Sequence, residues 1–117
     1  MEQGVPAEEE ADDLDASAIH VLAHVNGEAV GTGRLVRQHD GVAHIGRMAV
    51  LPRNRRHGVG SALIRSLLAI ASEERASTTV LAAQLHAIRF YERHGFSTVG
   101  ADFLEAGIRH RWMTRTL

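Results

Sequence analysis

Apolar and polar positions divide the chain into segments of two periods. Residues 19–25 alternate strictly, with Ile19, Val21, Ala23 and Val25 on one face and His20, Leu22 and His24 on the other, which is the period of a strand. Asn26-Gly27 follows, a strong short hairpin signal. Residues 28–36 read as the returning strand, in which Gly31 and Gly33 mark a bulge or the close approach of another segment. After a turn at 38–41, residues 42–51 form the third strand of an antiparallel meander. Pro52 ends it, because proline has no N–H to give to a ladder.

The period changes at Gly58. Val59, Leu63, Leu67 and Ile70 follow helical spacing, and Ile64, Leu68 and Ala71 widen the same face, while Arg65, Ser66, Ser72 and Glu73 lie mostly opposite. Residues 77–83 (STTVLAA) are a short buried strand rich in β-branched side chains. Residues 84–94 read as a second helix with Ala87, Phe90 and Tyr91 inward, ended by Gly95 at C′. A strand begins at 96–99, Gly107 turns the chain, and residues 108–116 close it. Strand, helix, strand in that order implies a right-handed crossover and a locally parallel pair. The expected fold is α/β (α+β): a mixed, mostly antiparallel sheet flanked by helices, in the order βββαβαββ. No internal repeat or linker divides residues 1–117, which read as a single domain. Residues 1–17, with Glu8, Glu9, Glu10, Asp12, Asp13 and Asp15, read as an acidic loop, either solvated or at the mouth of a site that favours amines.

Composition narrows the function. A chain of 117 residues holds one domain with a real core. A formal net charge of -1 argues for neither nucleic acid nor an acidic membrane as a partner, and none is expected. There is no cysteine, hence no thiolate ligand or cysteine nucleophile. The N-terminus is acidic and no apolar run is long enough to span a bilayer, so the cytoplasm is the expected location. Eight histidines are scattered without ligand spacing, and no metal site is expected. His20 and His24 share a strand face but lack further ligands.

Candidate chemistry gathers where the third strand meets the first helix. The first turn of a helix carries N–H groups without intrahelical partners and a partial positive charge. Gly58 and Gly60 leave that backbone open to another molecule's oxygens, and Arg55, Arg56 and His57 add cationic character. No Gly-Lys-Ser/Thr follows, so the loop is not a Walker A motif, and only Gly58-Val59-Gly60 of a dinucleotide fingerprint is present. Taken alone, it reads equally as a tight strand-to-helix turn or as a phosphate site.

The wider context favours the second. Arg55-Arg56-His57-Gly58-Val59-Gly60 resembles the Arg/Gln-x-x-Gly-x-Gly/Ala loop of the GNAT N-acetyltransferases. Gln84-Leu85-His86-Ala87-Ile88-Arg89-Phe90-Tyr91-Glu92-Arg93-His94-Gly95-Phe96 resembles that family's Asn-x-x-Ala-x-x-Phe-Tyr-Glu-Lys-x-Gly-Phe segment. Residues 103–110 and 2–6 are similar to the small ElaA-like branch, so the resemblance covers nearly the whole chain. It implies an acyl-CoA-dependent N-acyltransferase that uses acetyl-CoA as cosubstrate and an amine of a small molecule or protein as acceptor, on the family's sheet with a helix on each side. The family places a strand and one or two helices before the meander, and this chain starts where the second of those helices would be. The strand at 19–25 is therefore expected to be a sheet edge, open to pairing with another copy in a homodimer.

The resemblance also implies roles. Backbone N–H groups of Arg56, His57, Gly58, Val59 and Gly60, with Ser61, hold pyrophosphate, and Arg55 lies near the phosphates. Exposed backbone of Met48, Ala49 and Val50 pairs with the pantetheine arm, and an N–H of Met48 or Val50 polarises the thioester oxygen. Gln84 stands where the family has an arm-contacting Asn. Tyr91 stands where the family has a tyrosine near the sulfur, and its phenol is an acid for the departing thiolate; from the helical pattern alone it reads instead as a core aromatic whose hydroxyl meets a backbone partner. His110 and Glu105 are the candidates for the general base, His44 the next. Arg109 occupies a position where the branch more often has proline. Two competing readings are a degenerate acyl-CoA-binding module without turnover and a nucleic-acid-binding domain using Arg53, Arg55 and Arg56, the latter with little aromatic surface for stacking.

Overall fold

The computed structural model describes residues 7–11, 18–37 and 40–117, the first stretch as backbone. Asp12, Asp13, Asp15, residues 2–6 and the start of the turn at Gln38 lie outside the described residues. The elements are β1 (Ala7–Ala11), β2 (Ala18–Val25), β3 (Glu28–Arg37), β4 (Val42–Val50), α1 (Val59–Glu73), β5 (Thr78–Gln84), α2 (Ile88–Arg93), β6 (Ser97–Glu105) and β7 (Ile108–Thr116). Short 3-10 turns at Pro52–Asn54 and Leu85–Ala87 precede the two helices. The strands form one sheet in the order β1-β2-β3-β4-β5-β7-β6. Only β4 and β5 run parallel, as the crossover through α1 requires.

Three expectations need correction. The acidic segment is not all loop: Ala7–Ala11 pairs antiparallel with β2, Glu10 opposite His20. The cause lies in β2, whose outer N–H and C=O groups take backbone partners wherever chain can reach them. The 19–25 strand is therefore not the sheet edge, and the expected homodimer loses that basis. The second helix is also shorter than 84–94: Gln84 ends β5, and the α-helix proper covers six residues.

The third correction concerns the layers. One row of facing residues crosses the sheet: Ile19, Leu35, Ile45, Leu81 and Met113, every one buried. α1 covers this face, and a Cβ built on Gly31 or Gly33 would meet Val59, Leu63 or Leu67 of that helix. Arg115, two residues beyond Met113 and thus on the same face, donates to the His94 carbonyl at the end of α2 (2.8 Å). Both helices therefore lie on one face instead of one on each. The reason is in the strands, whose large buried apolar side chains fall on one side; the opposite side carries His20, Leu22, His44, Val80 and Trp112, all partly or well exposed, with Ala18 and His110 buried among them. Among the described residues no helix is long and apolar enough to cross a membrane.

Gly31 and Gly33 let α1 approach β3 this closely. A Cβ at Gly31 would stand 2.9 Å from Val59 Cγ1 and 3.2 Å from the Ala49 carbonyl oxygen. Neither a β-branched residue nor a strand backbone yields easily. Gly31→Ala is therefore expected to destabilise the fold by ~1–3 kcal/mol through overpacking, read as a lowered urea midpoint at unchanged m-value. A midpoint equal to wild type would contradict the close packing.

Candidate active site

The sheet opens at one place. β4 and β5 pair from Val42 opposite Thr78 to Ile45 opposite Leu81, yet β4 runs on to Val50 and β5 to Gln84. A bulge coincides with the separation. Arg34 faces Gly46 and Thr32 faces Ala49, so Gly33 alone stands against Arg47 and Met48. Arg47 adopts a left-handed backbone (φ 51), uncommon for a residue with a side chain. The extra residue bends the strand and reverses which side chains face inward. Met48 and Val50 thereby pack against the core, while Ala49 is exposed.

A cleft of ≈ 840 Å³ lies between the separated strand ends. Its walls are Gly46–Val50 of β4, Leu81–Gln84 of β5 and Phe90 and Tyr91 of α2, with Arg55 and Gly60 at one end and Glu105 and His110 at the other. The Leu51 N–H donates to the Val30 carbonyl of β3 (2.8 Å). N–H directions alternate along a strand, so that of Val50 turns away from β3, toward the cleft, as does that of Met48. Arg55 Nε reaches the Val50 carbonyl (3.1 Å), on the cleft side of β4. Two expected donors thus face the opening, and a cation is fixed at its rim.

The helix end beside Arg55 is prepared for an anion. Gly58 is the N-cap of α1, left-handed (φ 83), and supplies no side-chain cap. Its carbonyl accepts from the Ala62 N–H (3.0 Å), so the N–H groups of Val59, Gly60 and Ser61 precede the first intrahelical bond. The Val59 side chain itself is buried in the core. Gly60 passes beneath Phe90, whose Cζ would stand 3.3 Å from a Cβ there. Arg56 and His57 are exposed in the loop and do not line the cleft. The Arg cluster is partly engaged: Arg53 pairs with Glu28, and Arg55 is tied to β4.

Tyr91 lines the cleft midway. Its ring is buried against Phe90 (5.0 Å) and Phe96 (6.0 Å), so it is a core aromatic as well. Burial pushes the phenol up from its ordinary value, which keeps the O–H protonated through the neutral range. Gln84 lines the same cleft, its Oε1 2.8 Å from His86 Nε2.

At the far end His110 is buried and stacks on Phe103 (5.8 Å). Its Nδ1 lies 2.8 Å from the Ile108 carbonyl oxygen. A carbonyl only accepts, so Nδ1 carries the hydrogen, and in the neutral ring Nε2 keeps its lone pair. That Nε2 is 3.7 Å from Glu105 Oε2, the one carboxylate lining the cleft among the described residues. His44, the further base candidate, is not a cleft residue. It packs edge-on against Trp112 (5.5 Å), and burial lowers its pKa, Glu105 and Arg34 acting in opposite senses.

The folded chain therefore brings together Met48, Ala49, Val50, Arg55, Gly60, Gln84, Tyr91, Glu105 and His110, and leaves Arg56, His57, Gly58, Val59 and Ser61 off the cleft walls. Two participants are not assigned a part in the site from the sequence. The left-handed Arg47 has no turn-forming composition, and only Gly33 across from it hints at the bulge. Phe90, which roofs Gly60, looks like any inward helix residue.

Comparisons with known proteins bear on the family and the fold. A family model described as an acetyltransferase (GNAT) domain matches residues 2–117. The uncharacterized N-acetyltransferase YjcF of Bacillus subtilis is 38% identical over 115 residues, covering 97% of this chain and 81% of that protein. The crystal structure of Escherichia coli ElaA superposes with a TM-score of 0.76 at 29% identity, over 88% of this chain and 74% of that one. A GNAT family acetyltransferase from Elizabethkingia anophelis, solved with acetyl-CoA bound, superposes with a TM-score of 0.82 at 16% identity, over 98% and 99%, a likeness of fold alone.

Proposed function

Because the chain belongs to the GNAT acetyltransferase family, we propose that it moves an acetyl group from acetyl-CoA to an amine, by direct transfer within the cleft between β4 and β5. The observation that carries this is one continuous opening with an anion-ready helix end at one mouth and a histidine–carboxylate pair at the other. Acetyl-CoA suits it in three respects. Its pyrophosphate matches the N–H groups of Val59, Gly60 and Ser61 with Arg55 beside them. Its amide-bearing arm matches a strand edge whose Met48 and Val50 N–H groups lack a β3 partner. Its length matches a cleft that passes between strands instead of ending on one face. When bound, it supplies an acyl group activated as a thioester.

The chain's own groups then divide the work. The Val50 or Met48 N–H, aimed into the opening, donates to the acyl oxygen as negative charge builds there, which is electrostatic stabilisation by a fixed dipole. His110 Nε2 accepts the proton that the amine must lose, and the Ile108 carbonyl holds the ring in the tautomer that allows it. Glu105 stabilises the resulting imidazolium and attracts the cationic acceptor. Tyr91 gives its phenolic proton to the sulfur as the C–S bond breaks, so charge balances at both ends of the transfer. Bound acetyl-CoA in the Elizabethkingia acetyltransferase of the same fold supports the cosubstrate.

The direct test is thiol release with acetyl-CoA across a panel of amines. Release that needs both components, and that falls with His110→Ala by about 10²-fold or more, is the expected result. Saturable CoA binding without release for any amine would instead make the chain a binding module.

A further inference from the structure

The phosphate end of the cleft is joined to the helix that carries Tyr91 by a bond not yet assigned a purpose. Ser61 is the third residue of α1, and its Oγ lies 2.9 Å from His94 Nε2. His94 caps the C-terminus of α2, three residues after Tyr91. Its carbonyl accepts from Arg115 Nη1 (2.8 Å), and its ring lies 5.0 Å from that of Phe90. Phe90 in turn covers Gly60. Two successive residues of α1's first turn, Gly60 and Ser61, thus rest on α2, which β7 holds through Arg115.

We propose that His94 is a positioning residue for the acyl donor: its Nε2–H donates to Ser61 Oγ, which turns the Ser61 hydroxyl hydrogen toward the phosphate oxygens at the N-terminus of α1. A serine hydroxyl has one hydrogen to give and accepts with its lone pairs. Once Oγ accepts from His94, its own hydrogen must find another acceptor. The neighbouring N–H groups of the first turn are donors only, so an anion is the fitting partner there. Without His94, Ser61 Oγ is no longer held toward α2 and can rotate to give its hydrogen to a carbonyl of the preceding turn, the common habit of serine in a helix. The inference rests on the acetyl-CoA reading of the cleft.

The test compares His94→Phe, which keeps the ring beside Phe90 but removes the nitrogen, with His94→Gln, whose amide nitrogen reaches the same place. His94→Phe is expected to raise the Kd for CoA and the KM for acetyl-CoA about tenfold, the scale of a hydrogen bond to a charged group, with kcat little changed. His94→Gln is expected to restore most of the affinity. Ser61→Ala should show a similar loss, and the double variant Ser61→Ala, His94→Phe should be no worse than either, since both remove one relay. Turnover of acetyl-pantetheine, which lacks the phosphates, should be unchanged in His94→Phe and His94→Gln. Wild-type affinity in His94→Phe would overturn the inference alone, as would equal losses with acetyl-CoA and acetyl-pantetheine. A wild-type chain that binds no CoA would overturn the proposed function and this inference together.

Discussion

Tyr91→Phe is expected to lower kcat for acetyl transfer by about 10²- to 10³-fold, with the Kd for CoA near that of wild type. The substitution removes one oxygen and nothing else. The ring contacts with Phe90 and Phe96 stay, and so does the packing that buries the residue. The loss therefore reports the proton that the sulfur would otherwise receive. Burial raises the phenol's pKa above its ordinary 10.0. An acid works only while protonated, so the alkaline limb set by Tyr91 lies above pH 10, and a falling limb nearer neutrality belongs to another group. A Tyr91→Phe rate equal to wild type, with the chemical step shown to limit turnover, would remove the acid role and leave Tyr91 as a packing residue.

Gly60→Glu is expected to abolish measurable CoA binding. The carboxylate would sit in the first turn of α1, where the N–H groups await an anion, and would satisfy them itself while repelling phosphate. The contact with Phe90 complicates the reading, because any side chain at Gly60 meets that ring at 3.3 Å. Gly60→Ala separates the two effects. It adds the Cβ without the charge, and Phe90 can give by a few tenths of an ångström. Affinity near wild type in Gly60→Ala with none in a folded Gly60→Glu locates the phosphates at this turn. Undiminished affinity in Gly60→Glu would move them elsewhere.

Much of this site could be read from residue order because its parts obey local rules. The alternation of Ile19 to Val25 and the helical face of Val59, Leu63, Leu67 and Ile70 each determine their element without help from the rest of the chain. Gly58 and Gly60 signal an open helix start for the same reason. The errors fall where distant contacts decide. Ala7–Ala11 has no strand pattern of its own and pairs because β2 offers it a ladder. Gln84 fits a helical repeat with Ala87 and Tyr91, yet β7 recruits it into the sheet opposite His110. That pairing brings Gln84 and His110 to walls of one cleft although 26 positions separate them in sequence. Arg47 in the left-handed region is a consequence of fitting two residues against Gly33, a strain that only the assembled sheet imposes.

The central claim is that the opening between β4 and β5 is an acyl-CoA site. Calorimetric titration of acetyl-CoA into the purified wild-type chain tests it most directly. The account predicts one saturable site, whose heat disappears when Gly60→Glu replaces wild type. A folded wild-type chain that gives no binding heat at several temperatures would contradict it.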